Sequence, residues 1–417
     1  MQKFVIQGGR RLEGDIQVQG AKNSALPILA ASLLCNGESV LENCPGLSDV
    51  YAACRILTSA GCHCDMQAQT VRVRADAPHT AVIPEPLMHG MRSSIMFLGA
   101  MLGRMQTCTL GYPGGCELGP RPIDLHLDAL RRMGVSIREE QGTLQCTVPK
   151  GLHGARIHLQ FPSVGATENI ILAAVLAKGE TIITNAAREP EISDLVHFLQ
   201  CCGAKIEGEG SSTVRIRGVK QLSGCTYRIM PDRIVTATWL ACAAAAGGAL
   251  RLTGTDAQSL EGILDVFEQM GCRCSRNEDS ICFSAAGPLR AVRSLRTMPY
   301  PGFPTDAQAI LMAVLCTANG TSVIEETIFE NRFRHADGLV RMGADIRTAG
   351  RIAVIRGVDH LHGAQVSATD LRGGAALLTA ALGAKGETVL TEIAHIDRGY
   401  DAPEQVLSAV GAKIERR

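Results

Sequence analysis

The chain has 417 residues, with 41 lysines and arginines against 41 aspartates and glutamates. That length exceeds one typical core and points to two domains, and a balanced charge supplies no global field for nucleic acid or an anionic membrane. Its 16 cysteines, in a chain this long and without an export signal, do not read as the disulfide framework of a small secreted domain.

The N-terminus, Met1-Gln2-Lys3-Phe4-Val5-Ile6-Gln7-Gly8, lacks a signal-peptide core and reads as a strand. The longest uncharged apolar run, Ile234 to Leu250, is alanine-rich, holds threonines and is too short and polar to span a membrane. A soluble, cytoplasmic protein is expected.

One pattern then recurs six times, about every 70 residues. Its copies are Leu57-Thr58-Ser59-Ala60-Gly61, Leu130-Arg131-Arg132-Met133-Gly134, Leu199-Gln200-Cys201-Cys202-Gly203, Phe267-Glu268-Gln269-Met270-Gly271, Leu339-Val340-Arg341-Met342-Gly343 and Leu407-Ser408-Ala409-Val410-Gly411. Each predicts a helix closed by a glycine C-cap and followed by a strand. A second, alanine- and leucine-rich helix recurs in each unit and ends near a glycine, as in Leu26–Gly37, Ile170–Gly179, Ala309–Gly320 and Ala375–Gly386. A third marker, at Leu12-Glu13-Gly14, Leu152-His153-Gly154, Leu222-Ser223-Gly224 and Leu361-His362-Gly363, precedes a strand. Each unit is therefore close to β-α-β-α-β-β, with an inner helix buried on most faces. Such units are too long for solenoid repeats. Six of them divide into two similar lobes of three, and a cleft between lobes is a favoured ligand site.

The starts of the inner helices carry polar residues with no packing role. They are Gly20-Ala21-Lys22-Asn23, Met91-Arg92-Ser93-Ser94, Pro162-Ser163-Val164-Gly165-Ala166-Thr167, Pro231-Asp232-Arg233, Phe303-Pro304-Thr305-Asp306 and Asp370-Leu371-Arg372-Gly373-Gly374. Serine, threonine and aspartate cap helices. Lys22, Arg92 and Arg372 oppose the helix dipole, which points to an anionic partner. The stretch Gly111-Tyr112-Pro113-Gly114-Gly115-Cys116-Glu117-Leu118-Gly119-Pro120-Arg121-Pro122 can be neither helix nor strand. It places the Cys116 thiol on a shaped loop near the Arg121 cation, a setting that lowers thiol pKa. The pairs Cys62/Cys64 and Cys272/Cys274 stand where other repeats carry apolar residues, so they read as small core residues, with zinc as the alternative.

The segments Gly20-Ala21-Lys22-Asn23, Pro113-Gly114-Gly115-Cys116, Arg121-Pro122-Ile123-Asp124-Leu125-His126, Ser163-Val164-Gly165-Ala166-Thr167, Ala187-Arg188-Glu189-Pro190-Glu191, Phe303-Pro304-Thr305-Asp306, Phe329-Glu330-Asn331-Arg332-Phe333 and His395-Ile396-Asp397-Arg398-Gly399-Tyr400 resemble the UDP-N-acetylglucosamine 1-carboxyvinyltransferases, which are enolpyruvyl transferases. The resemblance runs the length of the chain. It implies a two-lobed inside-out α/β barrel of six β-α-β-α-β-β repeats, three per lobe. The first lobe would hold residues 22–230, and the second residues 1–21 with 231–417. It also implies transfer of the enolpyruvyl group of phosphoenolpyruvate to the 3′-hydroxyl of UDP-N-acetylglucosamine, with release of phosphate, as the first committed step of peptidoglycan synthesis. No metal or organic cofactor is implied, and the partners are the two small-molecule substrates.

By the same resemblance Cys116 is the general acid, able to form a covalent adduct and to react with the epoxide antibiotic fosfomycin, and Asp306 is the base at the sugar hydroxyl. Lys22, Arg121 and Arg398 hold the phosphate, Arg332 and Arg372 the carboxylate, and Asn23 lies beside the donor. The nucleotide sugar meets Asn23, Arg92, Arg121, Pro122, Ile123, Asp124, Leu125, Ser163, Val164, Gly165, Asp306 and Ile328. Phe161-Pro162 stands where some members carry a lysine for the diphosphate. Glu189, Glu191 and His395 receive no role. The shikimate-pathway enolpyruvyl transferase, with the same architecture, lacks the Pro-Gly-Gly-Cys loop and the nucleotide-sugar segment; a silent sugar-binding relative is the other alternative.

Overall fold

A computed structural model of the protein describes residues 2–90, 92–111 and 123–417. The described residues form two compact units, one from residues 2–19 and 231–417 and the other from residues 20–111 and 123–230.

Each unit is built from three repeats. In the third repeat the strand Arg156–His158 leads into an inner helix, then strand Glu180–Thr184, outer helix Pro190–Cys201, and the strands Lys205–Glu207 and Thr213–Arg217. The first two strands run parallel, with Arg156 opposite Ile182, and the last two close the sheet antiparallel, with Glu180 opposite Arg217. The fifth repeat copies this order with Ser294–Arg296, Thr321–Glu325, Asp345–Ala349 and Ile352–Arg356. Three repeats take one strand from elsewhere in the chain. Thr226–Arg228 pairs with Glu38–Glu42 in the first, Glu13–Gln17 with Ala249–Thr253 in the fourth, and Phe4–Gln7 with Glu387–Thr391 in the sixth.

The inner helices are α1 (Lys22–Ser32), α2 (Met96–Met105), α3 (Val164–Ala174), α4 (Arg233–Ala246), α5 (Thr305–Leu315) and α6 (Leu371–Gly383). They carry almost no charge after their first turn, so they can be buried on every side. Helix α2 packs on both α1 and α3, and α4, α5 and α6 pack on one another. The four-stranded sheets lie outside them, and strands such as Thr213–Arg217 alternate core-facing and water-facing residues. Helices within and sheets without make the inside-out α/β barrel of six repeats that the family resemblance implies. No described helix is long and apolar enough to cross a membrane.

The recurrent Leu-x-x-x-Gly pattern has one physical cause. Gly61, Gly134, Gly203, Gly271, Gly343 and Gly411 all have φ between 95° and 102°. In each case the following residue donates its N–H to the leucine or phenylalanine carbonyl five residues back, as Cys62 does to Leu57 at 3.0 Å and Val135 to Leu130 at 3.1 Å. This is a Schellman cap, in which the residue after glycine also packs back on the helix. Cys62 and Cys272 fill that packing position and are buried. Their partners Cys64 and Cys274 are half-buried against the core. Among the described residues no cluster of cysteine, histidine or carboxylates could hold a metal ion.

The inner helices start and end earlier than the apolar runs suggest. Helix α3 begins at Val164 and stops at Ala174, before Gly179. The chain leaves the helix because Lys178 pairs with His153, which precedes the strand Arg156–His158. The Gly154 N–H donates to the Lys178 carbonyl at 2.8 Å. The bridges His362–Lys385 and Arg290–Asn319 repeat this exit. It explains three of the four copies of the third marker: a β-carbon at Gly154, Gly224 or Gly363 would strike the backbone of Glu180, Glu38 or Glu387, whereas Gly14 lies inside the strand Glu13–Gln17 beside Val410.

Helix α3 also buries Glu168 with both carboxyl oxygens unpaired among the described residues. Burial, then the charges of Glu191 and Glu189, push this carboxyl well above the usual range. A carboxyl shifted upward favours the fold below its unfolded pKa, and that advantage is lost as pH rises toward the folded value.

Two outcomes are expected. Gly154→Ala lowers stability by about 1–3 kcal/mol in thermal or urea melts, whereas Gly287→Ala, with open space at its α-carbon, leaves it unchanged; equal stability of both variants would contradict the close-approach account. Glu168→Gln melts increasingly above the parent as pH is raised from about 4 to 8, and a constant difference across that range would show that the carboxyl does not titrate as described.

Candidate active site

The unit of residues 20–111 and 123–230 assembles its polar group at the starts of α1 and α3. Lys22 is the first residue of α1, and its side chain is buried. Its Nζ stands 3.1 Å from Oδ2 of Asp49, itself buried in the first turn of the helix Ser48–Ser59. A protein carboxylate therefore offsets the cation that opposes the dipole of α1. Two residues on, in the same turn, the Ser24 hydroxyl donates to Asp194, which also accepts from Tyr227 Oη at 2.6 Å and Met230 N at 3.2 Å. Burial raises the Asp194 pKa, against the lowering effect of these donors. Asp194 thus fixes the first turn of α1, including the half-buried Asn23.

At α3 the Ser163 side chain caps the helix by accepting from Ala166 N at 3.3 Å. Ser163, Val164 and Gly165 remain partly open to solvent. The His126 ring packs against Gly165, leaving little room for a β-carbon there. His126 lies in the helix Asp124–Arg132, so this contact brings Ile123, Asp124 and Leu125 beside the serine-valine-glycine turn. Asn169 holds the histidine in place, with its amide nitrogen 2.9 Å from His126 Nδ1 and donating to Ile95 O at 2.8 Å. Arg92 opens the short 3-10 turn Arg92–Ile95 ahead of α2; its side chain lies outside the described part. Cys116, Arg121 and Pro122 also lie outside the described residues.

The other unit brings three of the named residues into direct contact. Asp306, second residue of α5, is not a helix cap. Its Oδ1 accepts from Arg332 Nη2 and its Oδ2 from Arg372 Nη2, both at 2.9 Å. The arginine side chains are 3% and 6% exposed, against 30% for the aspartate, so only the carboxylate faces solvent appreciably. Arg332 also donates to Thr305 O at 3.2 Å and lies over the Phe329 ring, while its Nε finds no acceptor among the described residues. Arg372 reaches Tyr400 Oη at 3.4 Å, and that hydroxyl is 2.8 Å from Thr238 Oγ1. Burial works against the Arg372 cation, but Asp306, Tyr400 and Asp232 outweigh it, so its pKa is raised. Buried His335 is held neutral, its pKa pulled down to about 4 by burial, against Asp370 and with Arg332 adding to the fall. Asp370 caps α6 by accepting from Arg372 N and Gly373 N.

Arg398 follows the short helix Ala394–Asp397, which also carries His395, and lies two residues before Tyr400. Gln19 holds this turn by donating to Gly399 O and accepting from Asp401 N. Ile328 is half-buried on the segment before Arg332. Phe161, in the place of the family's lysine, is 44% exposed and offers no cation. Sequence reasoning missed Asp49, Asp194 and Tyr400; the first two are the polar residues on buried faces of amphipathic outer helices, which was the available signal.

The family described as EPSP synthase (3-phosphoshikimate 1-carboxyvinyltransferase) matches residues 6–407. UDP-N-acetylglucosamine 1-carboxyvinyltransferase 2 of Caldanaerobacter subterraneus subsp. tengcongensis is 49% identical over 418 residues, covering 100% of both chains. The protein named UDP-N-acetylglucosamine 1-carboxyvinyltransferase from Acinetobacter baylyi is 46% identical over 416 residues, again covering 100% of each. Among solved structures, the enolpyruvyl transferase NikO from Streptomyces tendae superposes with a TM-score of 0.89 at 27% identity, over 100% of this chain and 98% of that one. An EPSP synthase from Acinetobacter baumannii superposes at 0.79 with 18% identity over 100% of both chains, a likeness of fold alone. The chain belongs to the EPSP synthase family and, within it, to the UDP-N-acetylglucosamine 1-carboxyvinyltransferases.

Proposed function

We propose that this chain transfers the enolpyruvyl group of phosphoenolpyruvate to the 3′-hydroxyl of UDP-N-acetylglucosamine, in the cytoplasm, as the committing step of peptidoglycan synthesis. The end-to-end match to proteins of that name carries the reading. The clustering of Asp306 with two buried arginines supports it, because this reaction needs a base near fixed positive charge.

The chemistry follows from the donor. Addition forms a bond between the sugar oxygen and C2 of phosphoenolpyruvate. Cys116 protonates C3, and Asp306 takes the proton of the attacking hydroxyl. Loss of a proton from the new methyl group and departure of phosphate then restore the double bond. Lys22, Arg121 and Arg398 neutralise the leaving phosphate, and Arg332 and Arg372 hold the carboxylate. Asn23, Arg92, Arg121, Pro122, Ile123, Asp124, Leu125, Ile328 and the Ser163-Val164-Gly165 turn take the nucleotide sugar, whose diphosphate suits a helix N-terminus.

The ion pairs add a condition. Asp306 occupies one nitrogen of each guanidinium that would grip the donor's carboxylate, so the two carboxylates compete for these arginines. In this reading donor binding draws the arginines from Asp306 and frees its oxygens to accept the sugar's proton.

In Asp306→Asn, turnover measured as phosphate release falls by roughly 10²–10⁴-fold, while phosphoenolpyruvate measured by calorimetry binds more tightly. Unchanged or weaker donor affinity would contradict the competition. Cys116→Ala loses turnover on the same scale of about 10²–10⁴ with an unchanged melting curve, and Cys116→Asp keeps part of the activity and resists fosfomycin. Parental turnover by the alanine variant would remove the thiol from the mechanism.

A further inference from the structure

A strand inside the sheet ends in a turn in several repeats, and the fifth repeat departs from a pattern that four others share. After Glu38–Glu42, Glu180–Thr184, Ala249–Thr253 and Glu387–Thr391 the next residues are Asn43, Asn185, Gly254 and Glu392, with φ of 56°, 55°, 62° and 55°. Asn43 and Asn185 donate their amides to nearby carbonyls, of Ile229 and Leu159. After Thr321–Glu325 the corresponding residue is Glu326, which is not among the positive-φ residues and is 1% exposed.

Four donors converge on its carboxylate. Oε1 accepts from Ile328 N at 2.8 Å, Phe329 N at 3.1 Å and Thr297 Oγ1 at 3.0 Å. Oε2 accepts from Thr305 Oγ1 at 2.9 Å. Thr305 is the first residue of α5, directly before Asp306, and its carbonyl accepts from Arg332. Thr297 in turn fixes Thr327 by accepting two further hydrogen bonds, its Oγ1 from the Thr327 N–H and its carbonyl from the Thr327 hydroxyl. A buried carboxylate is costly unless its acceptor sites are filled, so this geometry holds only while both segments stay in register.

We infer that Glu326 is a positioning residue: one carboxylate oxygen shapes the segment that carries Ile328 and Phe329, and the other anchors the turn that carries Asp306. The inference rests on the proposed roles of Asp306 as base and Ile328 as a contact of the nucleotide sugar. It ties acceptor binding to base placement through a single side chain that touches neither substrate.

The test is steady-state phosphate release by Glu326→Ala, Glu326→Gln, Thr305→Val and the parent, with melting curves for each. Glu326→Ala raises KM for UDP-N-acetylglucosamine and lowers kcat, for a loss of about 10–100-fold in kcat/KM, the scale of a misplaced reacting group. Glu326→Gln, whose carbonyl oxygen still serves Ile328 and Phe329, recovers the KM but not the kcat. Thr305→Val reproduces the kcat loss with the parental KM. A merely structural glutamate would instead lower the melting temperature and leave both constants of the folded enzyme alone. Folded Glu326→Ala with both constants within about twofold of the parent overturns the inference; should that variant not fold, parental kcat in both Glu326→Gln and Thr305→Val does so. An active parent with unaffected variants sinks only this inference, whereas a parent that releases no phosphate sinks the proposed reaction and the inference with it.

Discussion

Burial of the six inner helices on every side is the constraint from which the rest follows. A helix surrounded by other helices and by sheets has no face for charge, and α5 and α6 are buried from Ala307 to Leu315 and from Arg372 to Leu382. Much of the polar chemistry therefore sits at the helix starts, where unpaired N–H groups and the dipole already favour anions. Lys22, Ser163, Asp306 and Arg372 all lie within two residues of such a start.

Charges in that position need support from outside their own helix. Asp49 faces Lys22, Asp194 grips Ser24, and Asp306 is shared by Arg332 and Arg372. Breaking one member of such a buried set leaves an uncompensated charge, which costs far more than the pair contributes. The supporting residues come from outer helices and from the turns after central strands, so the repeat fold supplies both the anion-binding helix starts and their second layer.

The repeat was legible because it is local. A Schellman cap needs glycine at one position and an apolar residue next, and both are visible in six copies, including those where Cys62 and Cys272 take the apolar place. The ends of the inner helices were not legible, since the pairing of Lys178 with His153 that stops α3 depends on a strand start more than twenty residues earlier. At the site, Asp306 could equally have been a cap; only the folded chain sets it between two arginines. Glu326 left a faint signal. Alternation in Ile324-Glu325-Glu326 turns Glu326 to the core side with Ile324, but two adjacent glutamates read first as surface charge.

The most direct test is phosphate release from phosphoenolpyruvate by the parent enzyme, with UDP-N-acetylglucosamine or shikimate 3-phosphate as acceptor, followed by mass analysis of the product. The account predicts release only with the nucleotide sugar and a product heavier by one enolpyruvyl group. Release only with shikimate 3-phosphate would contradict the acceptor assignment, and binding of UDP-N-acetylglucosamine without any release would contradict catalysis itself.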